Sequence, residues 1–552
     1  MFAGFLNQGL SFIIPMIVLL GLLIFVHELG HFLAAKYYKV AVETFSLGFG
    51  PKLIKVVRNG TVYCVSALPL GGYVKMFGDE PGKDIPEEQK RQSYLHKPVG
   101  QRIVIVLAGP LMNLFFASIL FYWIAWIGDK AISPTVGEIA PNSVAYELGF
   151  RPYDKVLSIN EKPVQTWDEV QNAIETSPNQ TLTFRLDRNG ENLKLQAQPS
   201  LSANDNLFST ADKIGKIKGL NSDLHLPVIG VSRNSPAFLS GFRSGDQILE
   251  VDGEPVKWFK DVEPSILESL FNGPGLAKVK LRRFEDFRQR DNFEEITLTL
   301  NALNFTTQNL GLFIPETLVA EVQDESPAAK AGLQRMDQIV EINGNPIISF
   351  EDIVQNVSHF DTDGEPLSVK VLRGDIQMQF PVRPEMNTLE GQYGETENRF
   401  TIGVFPVLLA MPNTFLWKSD SFGEALSRAF HQTAHWTKVT LLSFVRILQN
   451  RVSSKNVSGI ISIGQVAQQS WSLGLNAFLK IMAIISINLF VLNLLPIPIL
   501  DGGHLVLFTL EAIKGSPVSL KKVEVAQQVG FLVLLFLMAF ALFNDFNRIF
   551  GS

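Results

Sequence analysis

The sequence predicts a multi-domain protein. Its expected core is a polytopic α-helical membrane unit of about four transmembrane helices plus a membrane-associated β-hairpin, interrupted by an inserted tandem of small α+β domains. Three observations predict this. Long uncharged apolar blocks sit near both ends of the chain. The middle repeats one motif at intervals of about 90 residues. Between the first two blocks, an Asn-Gly pair punctuates an alternating apolar and polar stretch.

The apolar blocks are Phe12 to Val26, Ile103 to Gly128, Ile481 to Leu500 and Val525 to Asn544, none of which carries a charged side chain. About 20 such residues cross a bilayer as a helix. The first block lacks a basic start and runs straight into His27, Glu28 and His31. It therefore reads as an uncleaved span, not as a signal peptide. Lys and Arg crowd the loops at 36–102 and 514–522, which places these loops in the cytoplasm and the long middle segment outside. A net charge of −6 with no basic cluster argues against a nucleic-acid partner. The single cysteine, Cys64, excludes an intramolecular disulfide and a thiolate metal cluster.

The repeat is carried by "NSVAYELGFRPYDKVLSINEKP", "NSPAFLSGFRSGDQILEVDGEP" and "ESPAAKAGLQRMDQIVEINGNP". Asp154, Asp246 and Asp337 align, as do Gly149, Gly241 and Gly332. The expected division is 1–130 and 473–552 for the two halves of the membrane core, 131–225, 226–316 and 317–411 for the repeats, and 412–472 for an amphipathic interfacial segment. The repeats resemble PDZ domains in the circularly permuted form of bacterial proteases. That resemblance implies capture of extended peptides by strand addition. "NLGLF" (Asn309 to Phe313) and "FTIGVF" (Phe400 to Phe405) look like the carboxylate-binding segments of the second and third copies, and "KIKGL" matches poorly in the first. Spacers or size filters that bind no peptide are the alternative reading.

"HELGH" spaces His27 and His31 one helical turn apart, so both imidazoles can reach one Zn²⁺. Glu28 beside them can take a proton from a water that the metal activates. Three ionisable groups at membrane depth are costly and mark function. A catalytic zinc wants a third protein ligand. Ala34 and Tyr37 stand where a metzincin extension needs Gly and His, and Glu43 is too close in sequence. The better candidate is Asp501 in "NLFVLNLLPIPILDGGHL", where Pro496 and Pro498 break the helix, with His504 as the rival ligand. The helical stretch 422–452 is apolar on one side and basic, and is expected on the outer membrane surface, with His431 and His435 as surface histidines.

These motifs, with "FSLGFGP", "PLGGYVKM", "AGPLMN", "NLLPIPILDGGH" and "ALFNDF", make the chain resemble the site-2 protease family of intramembrane zinc metalloproteases. The similarity is to the regulator of sigma-E branch of Gram-negative bacteria. It implies one Zn²⁺ per chain on His27, His31 and Asp501, Glu28 as base, and substrate contacts from Asn493, Pro496 and Pro498. Gly71 and Gly72 of the hairpin are further substrate-binding candidates, since the hairpin edge offers pairing to an unwound strand. The implied location is the bacterial inner membrane, with the site near the cytoplasmic side and the repeats periplasmic. The implied partners are the lipid bilayer and single-span membrane proteins, such as a trimmed anti-sigma factor or signal-peptide remnants. Three repeats, where the branch usually has two, is a departure that bears on gating. A catalytically inactive scaffold and a metal transporter stay as alternatives.

Overall fold

The computed structural model describes residues 2–550 except 81–84, 140–142, 205–212, 233, 285–292, 303–308, 348, 363, 375, 391–395, 408–409 and 450–458. Ala140 to Asn142, Arg233 and Ile348 of the repeated motifs, and Asn456 to Ser458, lie outside the described residues. Among the described residues four helices are long and apolar enough to cross a membrane: Ser11–Tyr37, Val99–Ile127, Leu475–Asn493 and Lys521–Phe546.

The first two helices touch through glycine. A Cβ on Gly30 would collide with the Ala108 carbonyl, and one on Gly109 with the His31 ring. Lipid gives little hydrophobic drive for helix association, so close backbone packing of small residues carries it. The third helix joins them through Ser486, which donates to the Asn113 carbonyl at 2.8 Å. Leu19, Leu23, Phe121, Met482 and Ile487 fill the space between the three.

The strands Val42–Arg58 and Thr61–Met76 are joined by Asn59-Gly60, both at positive φ (48° and 75°), as a two-residue primed turn requires. The structure departs from a plain hairpin. Residues 44–47 pair with 72–75 on one side and with 62–65 on the other, while 52–58 continue on 61–66. Gly48 and Gly50, at φ 93° and 87°, bend the first strand so that it can serve twice. The stretch 72–76 is left at the sheet edge.

The three repeats have one topology. Each is a four-stranded antiparallel sheet in which the first strand in chain order lies between the short second strand and a long hairpin. In the first copy the order is Lys162–Pro163, Lys155–Ile159, Leu182–Arg188, Glu191–Ala197. Each copy has its own core, built around Phe150 and Phe184, Phe242 and Leu281, and Ile339 and Val369. The aligned aspartates are fully enclosed, at 0 %, 1 % and 0 % exposure. Each accepts two hydrogen bonds from an arginine one hairpin away: Asp154 from Arg188 (2.6 and 2.7 Å), Asp246 from Arg283 (2.7 and 2.7 Å), Asp337 from Arg373 (2.8 and 2.8 Å). The same guanidinium reaches the carbonyl of the aligned glycine.

The chain enters and leaves this array by neighbouring strands, since Asp129–Ile132 pairs with Thr414–Trp417. Asp223–His225 pairs with Ala410–Pro412, tying the end of the first copy to the end of the third. His225 sits between Glu138 (3.5 Å) and Glu316 (2.6 Å).

The helix Phe422–Leu448 docks on the core along one face. Ala425 and Ala429 are buried, Thr433 meets Ser118 at 3.1 Å, and Thr440 donates to Asn488 at 2.8 Å. His431 and His435 are exposed. A separate helix, Ile460–Ser472, lies against the first, with Gly464 on the Phe12 ring. Its open N-terminus is capped by Asp545 of the fourth apolar helix, which accepts from the amides of Gly459, Ile461 and Ser462.

Candidate metal centre

His27 and His31 project from one face of the first helix, about 15 and about 9 Å before its end at Tyr37. Asp501 arrives from the other half of the core. The third apolar helix stops at Asn493, the Pro496 to Pro498 segment turns the chain, and a new helix begins at Asp501. Gly502 and Gly503 permit this tight return, because a Cβ on them would strike the carbonyls of Leu494, Leu495 and Ile497. The carboxylate lies in the first turn of its helix, where the dipole favours an anion.

The three side chains converge. His27 Nε2 is 3.2 Å and His31 Nε2 3.5 Å from Asp501 Oδ2, and the two Nε2 atoms are 3.3 Å apart. His31 Nδ1 lies 2.8 Å from the Ile105 carbonyl, which can only accept, so Nδ1 carries the proton and Nε2 a lone pair. Asp501 Oδ2 is buried with no hydrogen-bond donor among the described residues. Three electron-rich atoms facing one another demand a cation. Tetrahedral zinc with donors at about 2.0 Å sets neighbouring donor atoms about 3.3 Å apart. The His₂Asp set fits that triangle.

A cavity of about 620 Å³ opens beside this triangle, and its lining includes Glu28, Tyr73 to Met76, Tyr94, Asp501 and His504. Glu28 receives the backbone amide of Val74. His504 lines the cavity without joining the three-residue group. Gly72 packs close to Glu28, and a Cβ on it would crowd the Ser46 carbonyl. Gly71 lies against the Phe49 ring. Asn493 ends the third apolar helix, Pro496 and Pro498 lie in the turn before Asp501, and none of the three is among the residues that line this cavity.

Three features of the site escaped the sequence reading. Tyr94 forms part of the cavity wall. Arg102, one of the loop cations, is buried in a two-pronged pair with Glu511 (2.6 and 3.2 Å) that ties the second helix to the helix of Asp501. Asn113 lies beneath His27. Only the spacing of "AGPLMN", which puts Asn113 one helical turn from Gly109, pointed towards the site.

A profile described as "Peptidase family M50" matches residues 15–537. A regulator of sigma-E protease from Haemophilus influenzae is 30% identical over 537 residues, covering 97% of this chain and 98% of that protein. Regulator of sigma E protease from Salmonella typhimurium (strain LT2) and Regulator of sigma-E protease RseP from Escherichia coli K12 are each 29% identical over 537 residues, with the same coverage. A solved PDZ domain protein from Parabacteroides distasonis covers 50% of the chain at 11% identity, but its TM-score of 0.12 carries no argument. Given a match that runs through both halves of the core, the chain belongs to peptidase family M50 and is a zinc metalloprotease of the site-2 type.

Proposed function

We propose that this integral membrane enzyme cleaves a peptide bond within or beside the transmembrane segment of a single-span protein, with His27, His31 and Asp501 holding one zinc ion and Glu28 as the base. The observation that carries this reading is the 3.2 to 3.5 Å triangle of donor atoms from helices at opposite ends of the sequence, with Glu28 on the same cavity.

Zinc bound there supplies a Lewis acid for the scissile carbonyl and lowers the pKa of water. Glu28 accepts the proton of that water and returns it to the leaving amine. The Val74 amide orients the Glu28 carboxylate. The sheet edge at residues 72–76 pairs with the substrate, whose own helix must unwind and give up its backbone hydrogen bonds to expose the amide. Gly71 and Gly72 keep that edge open, and Asn493 with the Pro496 to Pro498 turn borders the unwound strand.

The site faces the cytoplasmic side of the inner membrane, since Lys and Arg crowd the loops next to it. The repeats then lie in the periplasm as PDZ-like domains that gate entry. The substrate class that fits is an anti-sigma factor already trimmed by a first protease, with signal-peptide remnants a second class. The test is cleavage of a tagged single-span peptide by wild type and Glu28→Gln, with zinc measured on both. Cleavage by wild type alone, with zinc retained in both, is the expected result. Equal cleavage by both proteins removes Glu28 from the chemistry.

A further inference from the structure

His27 and His31 face the same partners through Nε2, yet their far sides differ. The His31 ring is fixed by the Ile105 carbonyl at 2.8 Å. Among the described residues no carbonyl plays that part for His27. Its Nδ1 instead faces the side-chain amide of Asn113, whose nitrogen end is placed 3.3 Å away. Asn113 is 0 % exposed, and its backbone carbonyl is gripped by Ser486 of the third helix.

The two ends of an asparagine amide are nearly isosteric, and the chemistry of the neighbour decides which end points where. If the NH₂ end donated to His27 Nδ1, the imidazole proton would have to sit on Nε2. That would block the atom lying 3.2 Å from Asp501 Oδ2 and 3.3 Å from His31 Nε2. If the oxygen faces Nδ1, it accepts the Nδ1 proton and leaves the Nε2 lone pair for the metal. The far end of the amide has no partner among the described residues, so nothing there holds the unfavourable orientation.

We infer that Asn113 is a positioning residue for the metal centre: its carboxamide oxygen accepts the His27 Nδ1 proton, selecting the ring tautomer that binds zinc. The inference rests on the zinc reading of His27, His31 and Asp501. It adds a link between helices, because Ser486 holds Asn113, Asn113 holds His27, and the third helix leads on to Asp501. Partners of this kind orient a ligating histidine and raise its basicity, and losing one costs about 10–100-fold in metal affinity.

The test is the rate at which the purified full-length protein loses zinc to a chelator, for Asn113→Ala, Asn113→Asp, His27→Ala and wild type. Asn113→Ala is expected to lose zinc about 10–100-fold faster. Asn113→Asp keeps an acceptor on Nδ1 and is expected to hold zinc at least as long as wild type. Unfolding of the zinc-free proteins separates this from damage to the fold, since all should melt alike. If Asn113→Ala folds and keeps zinc like wild type while His27→Ala loses it, the inference fails and the metal site stands. If Asn113→Asp loses zinc as fast as Asn113→Ala despite folding, Asn113 is packing and the inference also fails. If His27→Ala keeps zinc, the metal reading itself fails and takes this inference with it.

Discussion

Gly109 shows how a residue without a side chain can control a metal site. The space its Cβ would occupy is taken by His31 Nε2, one of the three donor atoms. Gly109→Ala should therefore push the imidazole out of the triangle and lower zinc affinity by about tenfold or more, the scale seen when a ligand loses its support. Gly21→Ala, in the same helix as His31 but facing open space, should leave zinc content unchanged. Metal analysis of both variants after dialysis checks the pair. At this scale the donor residues were legible because H-E-x-x-H encodes a helical face by itself, and because Asp501 closes an uncharged run. Asn113, Tyr94 and the Arg102–Glu511 pair were not. Asn113 and Arg102 meet their partners 86 and 409 residues away in the chain, and no local period records such a contact.

Among the elements, the three repeats share a plan and differ where a peptide would sit. In the third copy, Ile353, Val354 and Val357 of one helix face Ile402 to Pro406 across a groove of about 460 Å³. In the second copy, the Leu310 amide of the matching loop already donates to Glu263 at 2.7 Å, so a carboxylate of the chain itself fills that position. In the first, Gly215 lies directly on the Ile174 carbonyl and leaves no room between helix and strand. Peptide binding should therefore belong to the third copy. Val354→Glu, at the position aligned with Glu263, should weaken a labelled peptide with an apolar C-terminus at least about tenfold, the worth of one buried carboxylate contact. Anisotropy titration reads this, and an unchanged affinity would move binding elsewhere. The aligned aspartates predict a separate outcome. Asp246→Ala strands Arg283 beside a buried site and should cost the second copy about 3 kcal/mol or more in denaturant unfolding. The repeat and its aspartates could be read from sequence, because Gly and Asp recur in register. Their arginines could not, because each stands at the end of a strand whose pairing had to be known first. The Phe422–Leu448 helix lays a stripe of Ala and Thr on other helices and leaves Leu426, Phe430, Leu441 and Val445 exposed, and an apolar face alone does not distinguish lipid from protein.

For the whole molecule, His225 is the charged joint between the first copy and the segment linking the second to the third. Burial works against its protonation, but the hydrogen bonds and charges of Glu138 and Glu316 outweigh that and hold its pKa up to about 9. A folded-state pKa raised above the ordinary 6.5 gives stabilisation that is complete below that value and lost as pH rises through about 9. Protease nicking near the joint should therefore increase between pH 7 and pH 10, and His225→Ala should flatten that dependence. The paired strands Asp129–Ile132 and Thr414–Trp417 have a consequence for biosynthesis. Closing a flexible loop of about 280 residues would carry an entropic cost at the moment the core assembles. The ribbon holds both ends of the insert side by side, which offsets that cost once the repeats are folded. Asp501 emerges from the ribosome long after His27 and His31. With zinc held by these three residues, a growing chain would carry an incomplete metal centre until the segment around Asp501 has been made.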